Sequence, residues 1–382
     1  MWLSATCYPA SFGEGNNMSD EKSTSKALQL AWQGAQRATD STHKHDKCKV
    51  AVVGIGGAGS NIIAQLAKNG IRNAETIAIA ADSLQLSTSQ ADQKLLINEK
   101  PTRGRPAIEK AQEQIKEIFS RTDIVIITAG LGGRTGTKAT IEVAGIAKEQ
   151  DAITIGVVTK PFRSEKGQTR KTFKALDKLC RSCDTLIVFD NNKLMEITPP
   201  LPMAEAFKIA DKVVADTIEG LVETISTSNL VTPDPDDFKT VLRRGGVALV
   251  GVGESDAPNR AEEAVRNALS SPLLNTSYAK ATGALVHVTG DIKMTAEEAS
   301  RVSKTVTEMM RNDAQVIWGA QVDPRLNGKM RVTLVITGAN PPQTLKRHGL
   351  ISPQLFNLET QLEPEKELPV DLGLYQMEDF GP

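Results

Sequence analysis

Two glycine-rich turns constrain this chain more than any other feature. GIGGAGSN at 54–61 and AGLGGRTGT at 129–137 each follow a short run of Val, Ile and Ala, and each opens a helical pattern. A strand that ends in glycines and passes into a helix turns backbone N–H groups towards an anion, and the helix N-terminus adds positive potential. Two such turns at one edge of one sheet grip a phosphate chain from two sides. The flanking pattern agrees. KVAVVGIG, TIAIAAD, DIVIITAG, AITIGVVT and TLIVF are short strand-like runs, with helical stretches such as SNIIAQLAKNG and IEKAQEQIKEIF between them. That rhythm predicts a Rossmann-like parallel α/β sheet covered on both faces, over 48–203.

Downstream, apolar residues at 207, 210, 213, 214, 217, 218, 221 and 225 mark one long helix over 204–226. VALVGVGES, GALVHVTG, AQVIWGAQV and KMRVTLVITG follow, with helices at about 259–270 and 295–311. They predict a second, smaller α/β domain with a mixed sheet over 227–339. Residues 1–47 read as a disordered extension with one weakly helical stretch, and Met18 is a second candidate start. Residues 340–382, rich in Pro, Glu and Gln, read as a disordered tail whose end, VDLGLYQMEDF, is either idle or a short docking peptide for a membrane adaptor or regulator. A net charge of −1 gives no field to collect nucleic acid, and no apolar run is long enough to span a bilayer. The expected location is the cytoplasm.

GxGxxG at 54–59, with Asp82 ending the next strand where a ribose-binding acid belongs, fits an NAD-dependent oxidoreductase. That reading leaves the second glycine turn without a task, so it ranks behind a phosphate clamp. No Walker sequence is present. Cys180 and Cys183 form a CxxC, and HKHDKC lies at 43–48. The two groups are far apart, and the pair reads as the close of a helix before the strand DTLIVF, not as a zinc site.

In GIGGAGSN, GGRTGTK, VVTKPF, DTLIVFDNNKL and WGAQVDPRLNGKMRVTLVITG, taken in this order, the chain resembles the FtsZ family of tubulin-like cell-division GTPases. The resemblance runs from about 48 to 339 and is strongest to archaeal members. It implies GTP and GDP as ligands, magnesium, and head-to-tail self-assembly. The first glycine turn then contributes Gly56, Gly57, Ala58 and Asn61 to phosphate binding, with Asp82 nearby. The second contributes Gly130, Gly132, Gly133, Arg134, Thr135, Gly136 and Thr137. PFRSEKGQTR supplies Glu165 for the ribose and, one residue later than the family spacing, Arg170. Asn191, Phe207 and Asp211 form the base pocket. A phenyl ring stacks on a purine, and a carboxylate accepts from guanine N1–H and its exocyclic amine, a donor pair that adenine lacks. By spacing alone, Phe207 is a core residue and Asp211 a surface charge; the resemblance reverses that reading.

The family shares catalysis between subunits, which implies that Asp234 and Asp237 reach the nucleotide of a neighbouring copy. Read without the resemblance, PDPDD is an acidic turn that caps a helix. Besides the shifted Arg170, the chain departs from the family at four places. Thr232 stands for an Asn, PTRGRP at 101–106 replaces a glycine-rich loop, and Arg134 and Lys138 stand for glycines. If those glycines are needed at positive φ, the substitutions strain the loop by on the order of 1 kcal/mol or more. A charge beside a triphosphate contributes about 1–3 kcal/mol, so binding is expected to survive. A guanine-nucleotide-binding scaffold with little turnover is the second reading.

Overall fold

In the computed structural model, the structure describes residues 48–97, 108–162, 169–193, 202–225, 235–243, 245–271 and 281–338. Both terminal segments, PTRGRP at 101–106, Glu165, Thr232 and Asp234 lie outside the described residues, as do the side chains of Arg134 and Arg170.

Strands β1 (Val50–Ile55), β2 (Ala74–Ala80), β3 (Gln93–Leu96), β4 (Ile124–Gly130), β5 (Ile153–Lys160) and β6 (Thr185–Asp190) form one sheet. Every pairing among them is parallel. Residues alternate between its two faces. Val50 and Val52 enter one core cluster, while Ala51, Val53 and Ile55 enter the other. Burial on both faces explains why these strands read as continuous apolar runs.

Helices α1 (Gly56–Asn69), α2 (Ser83–Thr88), α3 (Gln112–Phe119), α4 (Arg134–Glu149) and α5 (Thr169–Ser182) connect the strands. The 23-residue α6 (Met203–Ile225) packs beside α1 on one face, and α3, α4 and α5 cover the other. Asn61 Nδ2 donates to Asp211 Oδ2 at 3.4 Å, and eight residues on Asn69 Nδ2 donates to Glu219 Oε2 at 2.6 Å. The two helices therefore run side by side in the same direction.

After α7 (Pro235–Arg243) come β7 (Gly246–Ser255), α8 (Arg260–Leu269), β8 (Gly283–Gly290), α9 (Ala296–Met309), β9 (Gln315–Val322) and β10 (Met330–Thr337). Pairings of both senses occur, β10 lying antiparallel to β7 and β8, and β8 parallel to β9. The mixed sheet is not separate from the first. Gly246–Ala248 of β7 pair in parallel with β6, and Leu249–Ser255 pair with β10. The result is a ten-stranded order, β3-β2-β1-β4-β5-β6-β7-β10-β8-β9. The lower end of α6 is tied to this half by the buried His287 of β8. Its Nδ1 lies 3.0 Å from Thr224 Oγ1 and its Nε2 lies 3.0 Å from Glu223 Oε2. Gln321 Nε2 donates to the other Glu223 oxygen.

Candidate nucleotide site

The strand order reverses between β1, whose chain continues towards β2, and β4, whose chain continues towards β5. Open α/β sheets bind ligands at such a switch point, beyond the carboxyl ends of the strands. Here a cleft of about 630 Å³ opens there, lined by Ile55, Gly56, Gly57, Ala58, Asp82, Gln85, Gly130, Gly133, Thr135 and Gly136 among others. Both glycine turns border this one cleft.

Close approach explains the glycines. A Cβ on Gly136 would stand 2.6 Å from Gly130 O, and one on Gly59 would stand 2.7 Å from Thr128 O. Gly56 at φ 69° and Gly132 at φ 105° occupy backbone that disfavours a side chain. Gly133 differs. It has φ −66° and nothing of the protein within 4 Å of a Cβ position, so its open side belongs to the cleft.

The helix starts point to an anion. α1 and α4 have neither a side-chain cap nor an acid in the first turn. Their first N–H groups are orphans that a bound oxyanion satisfies. Thr137 Oγ1 accepts from Gly132 N at 2.9 Å and fixes the turn. Arg134 and Lys138 both fall within the helical backbone of α4. The strain expected from losing positive-φ glycines therefore does not arise, and what remains is added positive charge at an uncapped helix start beside the cleft. Asp82 lines the cleft, and its Oδ1 accepts from Leu84 N at 2.9 Å, capping α2.

At the start of α6, Phe207 is 40% exposed, so it is not the core residue that spacing alone suggests. Phe162 meets it edge-on with ring centroids 5.0 Å apart. One turn on, Asp211 is half-buried against Asn61 of α1. Burial pushes its carboxyl up to about 6, against a partial offset from the Asn61 hydrogen bond. Asn191 follows β6, is buried, and its Oδ1 has no partner among the described residues. Asn61 thus joins α1 to Asp211.

Asp237 lies elsewhere. It sits in the first turn of α7, exposed, and accepts a 3.3 Å bond from Gln315 at the start of β9. The last turn of α7 meets the start of β6, where Thr185 Oγ1 donates to Leu242 O. That is the opposite end of the parallel sheet from the cleft.

Comparison with known proteins agrees with this geometry. The Tubulin/FtsZ family GTPase domain matches residues 49–199, and the FtsZ family C-terminal domain matches 246–340. Cell division protein FtsZ 2 of Methanocaldococcus jannaschii is 42% identical over 309 residues, 78% of this chain and 81% of that protein. The chain belongs to the FtsZ family. A second relative, FtsZ 2 of Haloferax volcanii, is 39% identical over 80% of this chain and 79% of its own length. A solved M. jannaschii FtsZ dimer superimposes with a TM-score of 0.73 at 44% identity, covering 77% of this chain and 89% of that one. CetZ2 from Haloferax volcanii, solved as a GTPγS-bound protofilament, reaches 0.63 at 18% identity over 78% of this chain and 97% of that one, a likeness of fold alone.

Sequence reasoning passed over several residues in and around this site. Gln85 lines it from α2, and Phe162 backs Phe207. Ser60 Oγ and Thr128 Oγ1 are buried beside the glycine turns with no partner among the described residues. The signals were present, Phe162 within VVTKPF and Gln85 three residues past Asp82. At the CxxC, burial disfavours the thiolate form. Burial pushes the Cys180 thiol up to about 11 and raises that of Cys183 further.

Proposed function

We propose that this chain binds and hydrolyses GTP and assembles head to tail into filaments, in the cytoplasm and at the division site, serving cell division or cell shape. The observation that carries this reading is the pairing of two uncapped helix starts at the strand switch with an orphan Asn191 and a half-buried Asp211. The helix starts suit a phosphate chain, and the amide and carboxylate suit a guanine edge. Phe207 offers a face for the base. Arg134 and Lys138 add affinity for both GTP and GDP, since a charge fixed on ground-state phosphates does not by itself lower the barrier.

Magnesium would arrive with the phosphates and neutralise their charge. Among the described residues no group of three or more His, Cys, Asp or Glu stands together. Magnesium takes most of its ligands from phosphate and water, and Asp82 lines the cleft. Asp234 and Asp237 position the attacking water in a neighbouring copy's cleft. The placement of Asp237 at the far end of the sheet supports a shared site.

The test is phosphate release against protein concentration. A site completed by a second copy gives a rate per subunit that rises with concentration and then levels. A rate strictly proportional to protein from the lowest concentration contradicts the shared site. An absence of turnover with intact GTP affinity favours a scaffold.

Base recognition has its own prediction. Asp211→Ala weakens GTP by about 1–3 kcal/mol and leaves ATP binding unchanged, as nucleotide titrations can show. In the parent protein, guanine needs the ionised carboxylate, so GTP affinity falls as pH drops through about 6 and is level above it. The folded, nucleotide-free protein shows the opposite sign. A pKa raised from 3.8 stabilises the fold at low pH, and that contribution is lost as pH rises through about 6. Equal affinity for ATP and GTP would refute the assignment.

A further inference from the structure

The outer face of α5 is basic, and the chain's own end is acidic. Phe173, Leu176 and Leu179 turn inwards to the core. Lys171, Lys174, Lys178 and Arg181 are exposed at spacings of three and four, one stripe of a helix. Arg181 is held by Asp177 at 2.8 Å. No ion pair among the described residues engages the three lysines. Residues 351–382 carry seven acidic residues against a single lysine, a formal charge of −6 in a chain whose total is −1.

The fold brings the two together. Gly338 closes β10, and its N–H donates to Gly245 O at 2.9 Å. The next residue, Gly246, donates to Asp184 O at 3.0 Å, two residues past the end of α5. The chain therefore leaves the sheet beside the C-terminal end of the basic helix. The twelve residues from 339 to 350 reach up to about 40 Å when extended. The fourteen residues of α5 span roughly 21 Å. Every lysine of the stripe is within that reach.

We propose that the acidic C-terminal segment, residues 351–382, docks along the Lys171–Lys174–Lys178 face of α5 in its own chain. Single exposed ion pairs contribute little. A short tether makes them effective, because it holds the segment near the helix at a local concentration on the order of millimolar. Docking is accordingly sensitive to salt, and any protein that recognises the tail competes with α5 for it.

Carbodiimide coupling of the full-length protein with GDP, followed by peptide mass spectrometry, tests the proposal. Expected are amide links from these lysines to Glu363, Glu365 or Glu367. Their yield should fall at least about fivefold in roughly 0.5 M salt, where screening shortens the reach of exposed charges to a few ångströms. Lys171→Glu, Lys174→Glu and Lys178→Glu together should remove the links. Reversing Glu363, Glu365 and Glu367 to Lys in that same chain should restore them with opposite polarity. The milder triple Lys→Gln variant serves if the first misfolds. Links that persist unchanged in the charge variants overturn the proposal. So do links found only between isotopically light and heavy chains, which would seat the segment on a second copy. Lysine-dependent sedimentation with phosphatidylserine vesicles, without intrachain links, would assign the face to a lipid surface and overturn it too.

Discussion

Asp237→Ala is expected to lower GTP turnover by at least about a hundredfold while the affinity of the isolated subunit for GTP changes less than about twofold. Removing one preorganised group at a transition state costs on the order of a hundred- to a thousandfold in rate. Phosphoryl transfer to water depends almost wholly on positioning and charge. Affinity stays because the exposed carboxylate lies at the opposite end of the sheet from its own cleft, bonded only weakly, at 3.3 Å, to Gln315. Phosphate release and nucleotide titration give the two numbers. A mixing experiment is sharper. Asp237→Ala retains a sound cradle, and Asp211→Ala retains a sound acid, so a mixture of the two regains turnover at the interfaces that combine them. A mixture as inactive as Asp237→Ala alone would place acid and nucleotide in the same chain.

Gly136→Ala is expected to cost about 2–3 kcal/mol of stability and to abolish nucleotide binding at ordinary concentrations. The added methyl meets a backbone carbonyl, Gly130 O, at 2.6 Å, and neither the end of β4 nor the start of α4 can withdraw without opening the second glycine turn. Gly133→Ala provides the contrast. Its methyl meets no protein atom and its backbone suits any residue, so melting should be unaffected while GTP affinity falls. Thermal melts with and without GDP separate the two variants. Equal loss of stability in both would mean that the turns are not packed as described.

Much of the fold was legible because its strands are buried on both faces and its helices are periodic. The elements missed are those without such a signal. β3 is a four-residue edge strand, QKLL, with no β-branched residue, and α2 is six residues long and begins at a capping Asp82. The joining of the two sheets was invisible for another reason. β6 and β7 pair across α6 and α7, a partnership that no local pattern encodes. In the site, the glycine turns announced themselves through composition. Asp211 and Phe207 did not, because a half-buried carboxylate and an exposed ring at helical spacing look ordinary until α1 is set beside them.

β7 has a mechanical consequence. Its first three residues belong to one ladder and its last seven to the other, so the seam between the halves is a strand and not a linker. A load applied along the strand direction crosses that seam through covalent backbone and through ladders stressed in shear, where several hydrogen bonds must fail at once. A flexible tether would instead pay out slack. The two halves are joined like a spliced beam, by a strand that belongs to both.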